Sequence, residues 1–194
     1  MNITTNDLYR LLQVIEAKEI YISEAIMLIS HYADAVINPT PIEGIITLTV
    51  DYNQTINQMV AAGNYDWKNS DITEDNFPLP TELLGKKMPV PAKLLHFNRD
   101  ISSEDAISEM ERTGYRSAIL SELLALGKSQ PDLQRKFPIN ALGSVWRVTN
   151  GDRFVPVLRV DGQRRELNLL WLGRNWRGDY HFLAVCKCAH SHLV

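Results

Sequence analysis

Four potential metal ligands alternate along the C-terminal sequence CKCAHSHLV: Cys186, Cys188, His190 and His192. In a strand, residues two positions apart share a face, so these thiol and imidazole groups would line one edge. Thiolate and imidazole are the usual ligands of zinc, but the usual Cys-x-x-Cys chelate is absent. A row of four would extend over about 20 Å, too far for one tetrahedral ion. The pattern therefore favours neither a metal nor another cofactor, and Cys186 is interpreted as a small buried hydrophobe.

A second polar group lies in HFNRDISSED, residues 96–105. His96 and Arg99 stand between a predicted strand and a predicted helix, and backbone N–H groups at a helix start could hold an anion. An acid from the Asp66–Asp75 loop, with Asp71 as the candidate, could complete a catalytic site. The sequence has no motif for a serine nucleophile, a phosphate loop, a dinucleotide site or a zinc hydrolase.

The same residues have a purely structural interpretation. Ser102 would cap the following helix, and Arg99 would pair with a nearby acid. In the Asp66–Asp75 loop, which fails the spacing test for an EF-hand, Asp and Asn side chains would cap turns. Large apolar side chains, Trp67 among them, would anchor this loop.

Tryptophan and arginine alternate in the C-terminal part of the chain. Aromatic side chains interleaved with arginines are typical of surfaces that recognise proteins or sugars, although they could equally form the core of a small sheet. We predict a binding surface there from six residues: Trp146, Trp171, Arg174, Trp176, Arg177 and Tyr180.

The elements that must position these groups follow from apolar spacing. Leu8, Leu11 and Ile15 form one helical stripe, and Ser23 can cap a second helix, so residues 1–38 predict a helical hairpin. The sequence NPTP at 38–41 then breaks the chain, which places a boundary before a second unit at 42–194.

Residues 42–194 predict a mixed unit, with helices first and sheet last. The predicted elements are strand Ile45–Val50, helix Gln54–Ala62 stopped by Gly63, strand Ala92–Phe97, helix Ser102–Arg112 ended by Gly114, helix Leu120–Leu126, and strands Ile139–Val148, Phe154–Val160, Arg165–Trp171 and His181–Lys187. Tight turns such as Asp161-Gly162 separate the last strands. The fold class is therefore α+β: an N-terminal helical hairpin followed by an α+β domain that ends in an antiparallel β-meander.

Composition narrows the function classes. The 194-residue chain has a net charge of −3, which argues against nucleic-acid binding. No apolar run approaches the roughly eighteen residues of a membrane helix, and the first residues do not resemble a signal peptide. The two cysteines are separated by one residue, a spacing that predicts no ordinary disulfide and suits a reducing compartment. These features predict a cytoplasmic location.

The chain from about Val50 to Lys187 resembles an uncharacterised group of bacterial hypothetical proteins. The resemblance rests on AAGNYDWKNSDIT, LLHFNRDISSEDAISEM, FPINALGSVW and FLAVCK. It implies no activity. The layout GYRSAILSELLAL, GSVW, FLAVCK is also similar to C-type-lectin-like and formylglycine-generating-type domains, but their calcium ligands and paired catalytic cysteines have no counterpart here.

Since no catalytic constellation is complete, the sequence predicts a non-enzymatic binding or protein-interaction module. An isolated amphipathic hairpin rarely buries its stripe alone, so residues 7–36 are expected to mediate self-association or to dock a protein partner. A second hypothesis is an enzyme whose site requires His96, Arg99 and Asp71 to converge. A third is a lectin-like binder of a small ligand, which requires Trp171 and Trp176 to line one concave surface.

Overall fold

A computed structural model of the chain describes residues 44–187. The predicted hairpin at 1–38, the association segment 7–36, and the potential ligands Cys188, His190 and His192 lie outside the described residues. Within that range the chain has the mixed α+β structure that its sequence predicts.

Helices and strands alternate through the first part of this range, and strands dominate its end. The elements are β1 Ile45–Asp51, α1 Ile56–Ala62, β2 Trp67–Lys68, β3 Lys87–His96, α2 Ser103–Arg112, β4 Tyr115–Ser117, α3 Leu120–Ser129, α4 Leu133–Lys136, β5 Ile139–Asn140, β6 Trp146–Arg147, β7 Arg153–Asp161, β8 Arg164–Trp171 and β9 His181–Cys186. A 3-10 turn occupies Thr81–Leu83.

The helix boundaries follow from capping residues. Thr55 caps α1 in a reciprocal capping box with Gln58, which satisfies two backbone donors at the helix start. Ser102 caps α2 by accepting a bond from the backbone N–H of Asp105, as predicted. The predicted stops at Gly63 and Gly114 are also confirmed, because α1 and α2 end just before them.

The β7–β8 hairpin also forms as predicted. Its loop is Gly162 and Gln163, and only Gly162 has a positive φ, 59°, which is the pattern of a II′ turn. This turn pairs Asp161 with Arg164. The pairing of β7 with β8 then continues in the same register as far as Phe154, which lies opposite Trp171.

The predicted meander is wrong beyond this hairpin. The strands of the described residues form one sheet in the order β1-β3-β9-β5-β7-β8-β2, so β9 lies between β3 and β5 and not beside β8. Five of the six residues of β9 are buried. A strand that is apolar on both faces belongs in the middle of a sheet, which explains its position. The predicted strand Ile139–Val148 is also divided into β5 and β6, both paired with β7.

Each face of the central sheet has its own core. On one face, Leu183 and Val185 of β9 join a large apolar cluster with α1 and α3. Phe182 of the same strand points the opposite way, since side chains alternate along a strand. Its ring meets Trp176 edge-on at 6.0 Å, and the Trp176 indole donates to Ser103 at the start of α2.

Arg165, on β8, ties the sheet to three other segments. Its buried guanidinium donates to the carbonyl oxygens of Gly63 (3.0 Å) and Gly127 (2.9 Å) and to the Gln134 amide oxygen (3.0 Å). Its guanidinium carbon also lies 5.1 Å from the centre of the Tyr65 ring. One buried cation therefore joins the end of α1, the middle of α3 and α4.

The same cluster explains a glycine inside α3. A Cβ at Gly127 would lie 2.1 Å from the Tyr65 hydroxyl, and a Cβ at Gly63 would lie 2.3 Å from the ring of Tyr65. Glycine in a helix interior costs about 1 kcal/mol relative to alanine. Glycine is nevertheless required at position 127, because the Tyr65 side chain packs between the backbones of Gly63 and Gly127 and leaves no room for a Cβ at either position.

Candidate functional site

The HFNRDISSED segment has a structural role at each residue that the sequence singled out. Arg99 lies 3.9 Å from a carboxylate oxygen of Glu109, which confirms that it pairs with a nearby acid. Ser102 both accepts from the Asp105 backbone and donates to its carboxylate. Ser103 donates to the carbonyl oxygen of Leu172, so its hydroxyl is buried in a structural bond.

The acidic loop is organised by turns. The Asn69 amide oxygen accepts from the backbone N–H of Asp71 at 2.9 Å, and Asn76 donates to the carbonyl oxygen of Asp71 at 2.8 Å. The Asp66 carboxylate accepts from the backbone N–H of Arg165 at 2.7 Å. The two bonds within the loop confirm the turn-capping interpretation for Asn69 and Asn76, whereas the Asp66 bond joins the loop to β8. Trp67 is not an anchor, however, because 39% of it is exposed.

The three catalytic candidates do not share a contact in the described structure. His96 ends β3, whereas Asp71 follows β2, and in the sheet order β9, β5, β7 and β8 separate these two strands. Arg99 bonds locally to Asp100 and pairs with Glu109. Within residues 44–187, no group of three or more His, Cys, Asp or Glu side chains is placed to hold a metal ion. The convergence that the enzyme hypothesis requires is therefore not observed among the described contacts.

The His96 imidazole is the first of three stacked rings. Its imidazole lies 4.2 Å from that of His181, which in turn lies 3.6 Å from the Phe137 ring, with interplanar angles of 15° in both pairs. The stack forms because His96 and His181 are register partners on β3 and β9, and Phe137 lies two residues before β5, whose Ile139 pairs with His181. The outer nitrogens bond to backbone, His96 Nε2 to Gly178 O at 2.6 Å and His181 Nδ1 to Asp179 O at 3.2 Å.

This stack predicts a pH dependence of stability. Burial lowers the pKa of His181 below its ordinary value of 6.5, and the neighbouring His96 lowers it further. The unfolded chain then binds this proton more readily than the folded chain, so stability falls as the pH drops through 6.5 and below. We expect the urea midpoint of the wild type to decrease between pH 7.5 and about 5.5 by more than that of His181→Phe, which keeps a ring on Phe137 but does not titrate. Equal decreases would contradict the assignment to His181.

The predicted tryptophan and arginine surface is only partly exposed. Trp176 is 0% exposed and Tyr180 is buried, so these two belong to the core, and the prediction is wrong for them. Their burial results from the crossing segment between β8 and β9, whose bridge with Ile101 places Trp176 beneath α2. Arg174 covers both rings, at 5.3 and 5.4 Å from their centres, and Arg177 pairs with Asp179.

The remaining aromatic residues form a continuous row. Trp146 on β6 is the register partner of Phe154 on β7, which is in turn the partner of Trp171 on β8. Register partners share a face, so three aromatic side chains lie side by side on adjacent strands. The rings of Trp146 and Phe154 are 5.8 Å apart, and Trp171, at the end of the row, is 50% exposed.

Phe154 was missing from the predicted surface, although the sequence contains the signal for it. A two-residue loop at Gly162 and Gln163 fixes the register of the hairpin, and counting back from it places Phe154 opposite Trp171. The place of Trp146 could not be found in this way, because β6 pairs with β7 across an irregular segment.

The cysteine prediction needs a correction. Cys186 is buried at the end of β9 and is disulfide-bonded, whereas the sequence spacing predicts no disulfide. The other cysteine of the sequence, Cys188, lies outside the described residues. The burial of Cys186 agrees with its interpretation as a small apolar residue.

Comparisons with known proteins yield no relative: no family model, no curated protein and no solved structure matches this chain. The resemblance to a bacterial group and the lectin-like layout therefore stay predictions. Among the described helices, none combines the length and the apolar character needed to cross a membrane.

Proposed function

We propose that this chain is a non-enzymatic binding module whose aromatic row, Trp146, Phe154 and Trp171, contacts apolar side chains of a protein partner. The observation that supports the proposal is the half-exposed indole of Trp171 at the end of a row of rings. Tryptophan is enriched among the residues that contribute most to protein interfaces, and burying one removes a large apolar area from water.

The geometry around Trp171 favours binding. A Cβ at Gly173 would lie 2.6 Å from Trp171 Cζ2, so the indole rests directly against the glycine backbone. This support restricts the ring before any partner arrives. A ring that is already ordered loses little conformational entropy on binding, which strengthens the interaction.

The composition of the row favours a protein over a sugar. Phe154 has no polar side-chain atom, and each tryptophan contributes a single N–H donor. Val145, which precedes Trp146, is also exposed and apolar. Sites for small polar ligands instead place several polar groups around an apolar floor, to orient the ligand.

The experiment is to pan a displayed library of random peptides against the full-length chain, and then to compare wild type with Trp171→Ala. We expect selected peptides to contain apolar anchors and to bind the variant about thirty-fold more weakly, the effect of losing an anchor worth about 2 kcal/mol. Trp67→Ala is the matched control, because Trp67 is also exposed but lies on β2, outside the row. It should bind the peptides as tightly as the wild type.

Two outcomes would overturn the proposal. Peptides that bind Trp171→Ala as well as the wild type would show that the row is not the site. A carbohydrate array that gives binding dependent on Trp171, with no peptide selected, would favour the lectin-like alternative.

A further inference from the structure

The two edge strands of the described sheet differ in length. β2, at one end, has two residues, whereas β1, at the other, has seven with the sequence IITLTVD. Short edge strands offer little backbone for another chain to pair with, and proteins use them to avoid association. β1 is long enough to accept a further strand.

The neighbouring strand β3 shows how this fold guards an open edge. β9 pairs with β3 only from Ala92 onward, so the stretch Lys87–Pro91 has an edge without a strand among the described residues. The Tyr52 N–H donates to Lys86 O, so Tyr52 and Lys86 are a hydrogen-bonded pair of the β1–β3 ladder, and every second pair from there is also hydrogen-bonded. Pro89 and Pro91 fall in the other pairs, so their backbone nitrogen and oxygen atoms point away from β1. Both prolines therefore stand where an N–H would face the open edge. Proline and lysine are recognised guards of such edges.

β1 lacks every one of these guards. It contains no proline, no lysine and no glycine, and Thr47 and Thr49 are exposed β-branched residues. By the same alternation, the backbone N–H and C=O groups of Ile45, Thr47 and Thr49 point away from β3. In the range that the structure describes, no strand pairs with this side of β1.

We propose that β1 pairs antiparallel with β1 of a second copy of this chain, about a two-fold axis at Leu48. This register overlaps all seven residues of the strand and places each Thr47 opposite Thr49 of the other copy. Opposed threonines are favourable cross-strand pairs, and the one charged residue, Asp51, falls opposite Ile45 and not opposite its own copy. The strand is thus complementary to itself, as a two-fold interface requires.

The test is sedimentation velocity of the full-length chain and of Thr47→Pro. The wild type should sediment as a dimer, at twice 22.1 kDa. Thr47→Pro removes an outward N–H but no bond to β3, so we expect a monomer with an unchanged circular dichroism spectrum. Thr47→Val, which keeps the N–H, is the matched control and should remain dimeric.

A second variant covers the case in which proline disturbs the fold. Thr47→Lys adds a charged edge residue at an exposed position, and it should raise the dimer dissociation constant by more than about tenfold. A wild type that is monomeric at high concentration would overturn the proposal. So would Thr47→Pro or Thr47→Lys variants that stay folded and dimeric, since association would then use another surface. Trp171→Ala should leave the dimer intact, which separates this proposal from the function of the aromatic row.

Discussion

Arg165→Lys is expected to lower the free energy of unfolding by about 3 kcal/mol or more. The guanidinium satisfies carbonyl oxygens of Gly63, Asn64 and Gly127 and the Gln134 side chain, all in or near the core. Leaving a buried acceptor unmatched costs about 1–3 kcal/mol, and several would be left here. The lysine ammonium is a single point and cannot reproduce the planar fork of donors that reaches three segments at once.

Urea unfolding followed by circular dichroism measures this effect. The matched control is Arg177→Lys, since the Arg177 side chain is mostly exposed and pairs with the exposed carboxylate of Asp179. Surface ion pairs contribute little, so this control should stay within about 0.5 kcal/mol of the wild type. Similar losses for the two variants would show that the buried fork is not what stabilises this region.

Glu122→Ala is expected to cost about 3–5 kcal/mol, the range for breaking a buried ion pair from one side. Glu122 is fully buried at the start of α3 and receives both terminal nitrogens of Arg116, at 2.9 and 2.6 Å. It also accepts from the backbone N–H of Ile119 at 2.8 Å and from the Tyr52 hydroxyl at 3.4 Å. Alanine would remove all four bonds and take away the acceptor of the Ile119 N–H and of the Tyr52 hydroxyl.

Two further variants identify the cause of this loss. Glu122→Gln retains an oxygen that can accept from Ile119, so its loss should be clearly smaller than that of the alanine variant. Glu111→Ala, at an exposed position of α2, makes the same change on a helix surface and should be nearly neutral. The ion-pair account would fail if Glu122→Gln were as stable as the wild type, because the negative charge of Glu122 would then contribute nothing beyond its hydrogen bonds.

Burial and the neighbouring carboxylate of Glu122 determine the protonation state of Tyr52. Burial raises the pKa of the Tyr52 hydroxyl, and the nearby carboxylate of Glu122 raises it further. Tyr52 therefore stays protonated and donates its hydrogen bond, which suits a structural role. A tyrosine acting as a base would need the opposite shift in its pKa.

Local features of this protein were determined by its sequence alone. The start of α2 at Ser102 follows from one capping side chain, and the β7–β8 register follows from one two-residue loop. The structural roles of Arg99 and of the acidic loop were also among the interpretations that the sequence allowed. Apart from the bond between Asp66 and Arg165, these features depend on one tight turn or on residues about ten positions apart or fewer, where backbone geometry and hydrogen-bond chemistry leave few alternatives.

Only the tertiary structure decided the features that depend on distant segments. β9 pairs with β3 across nearly half of the chain and not with β8, the nearest strand before it in sequence, because its two apolar faces need cover on both sides. The same crossing buries Trp176 and leaves Trp171 exposed, although both tryptophans lie close together in the sequence. Residue type and spacing cannot distinguish these two side chains, since burial depends on which distant surfaces a side chain meets after the chain has crossed the sheet.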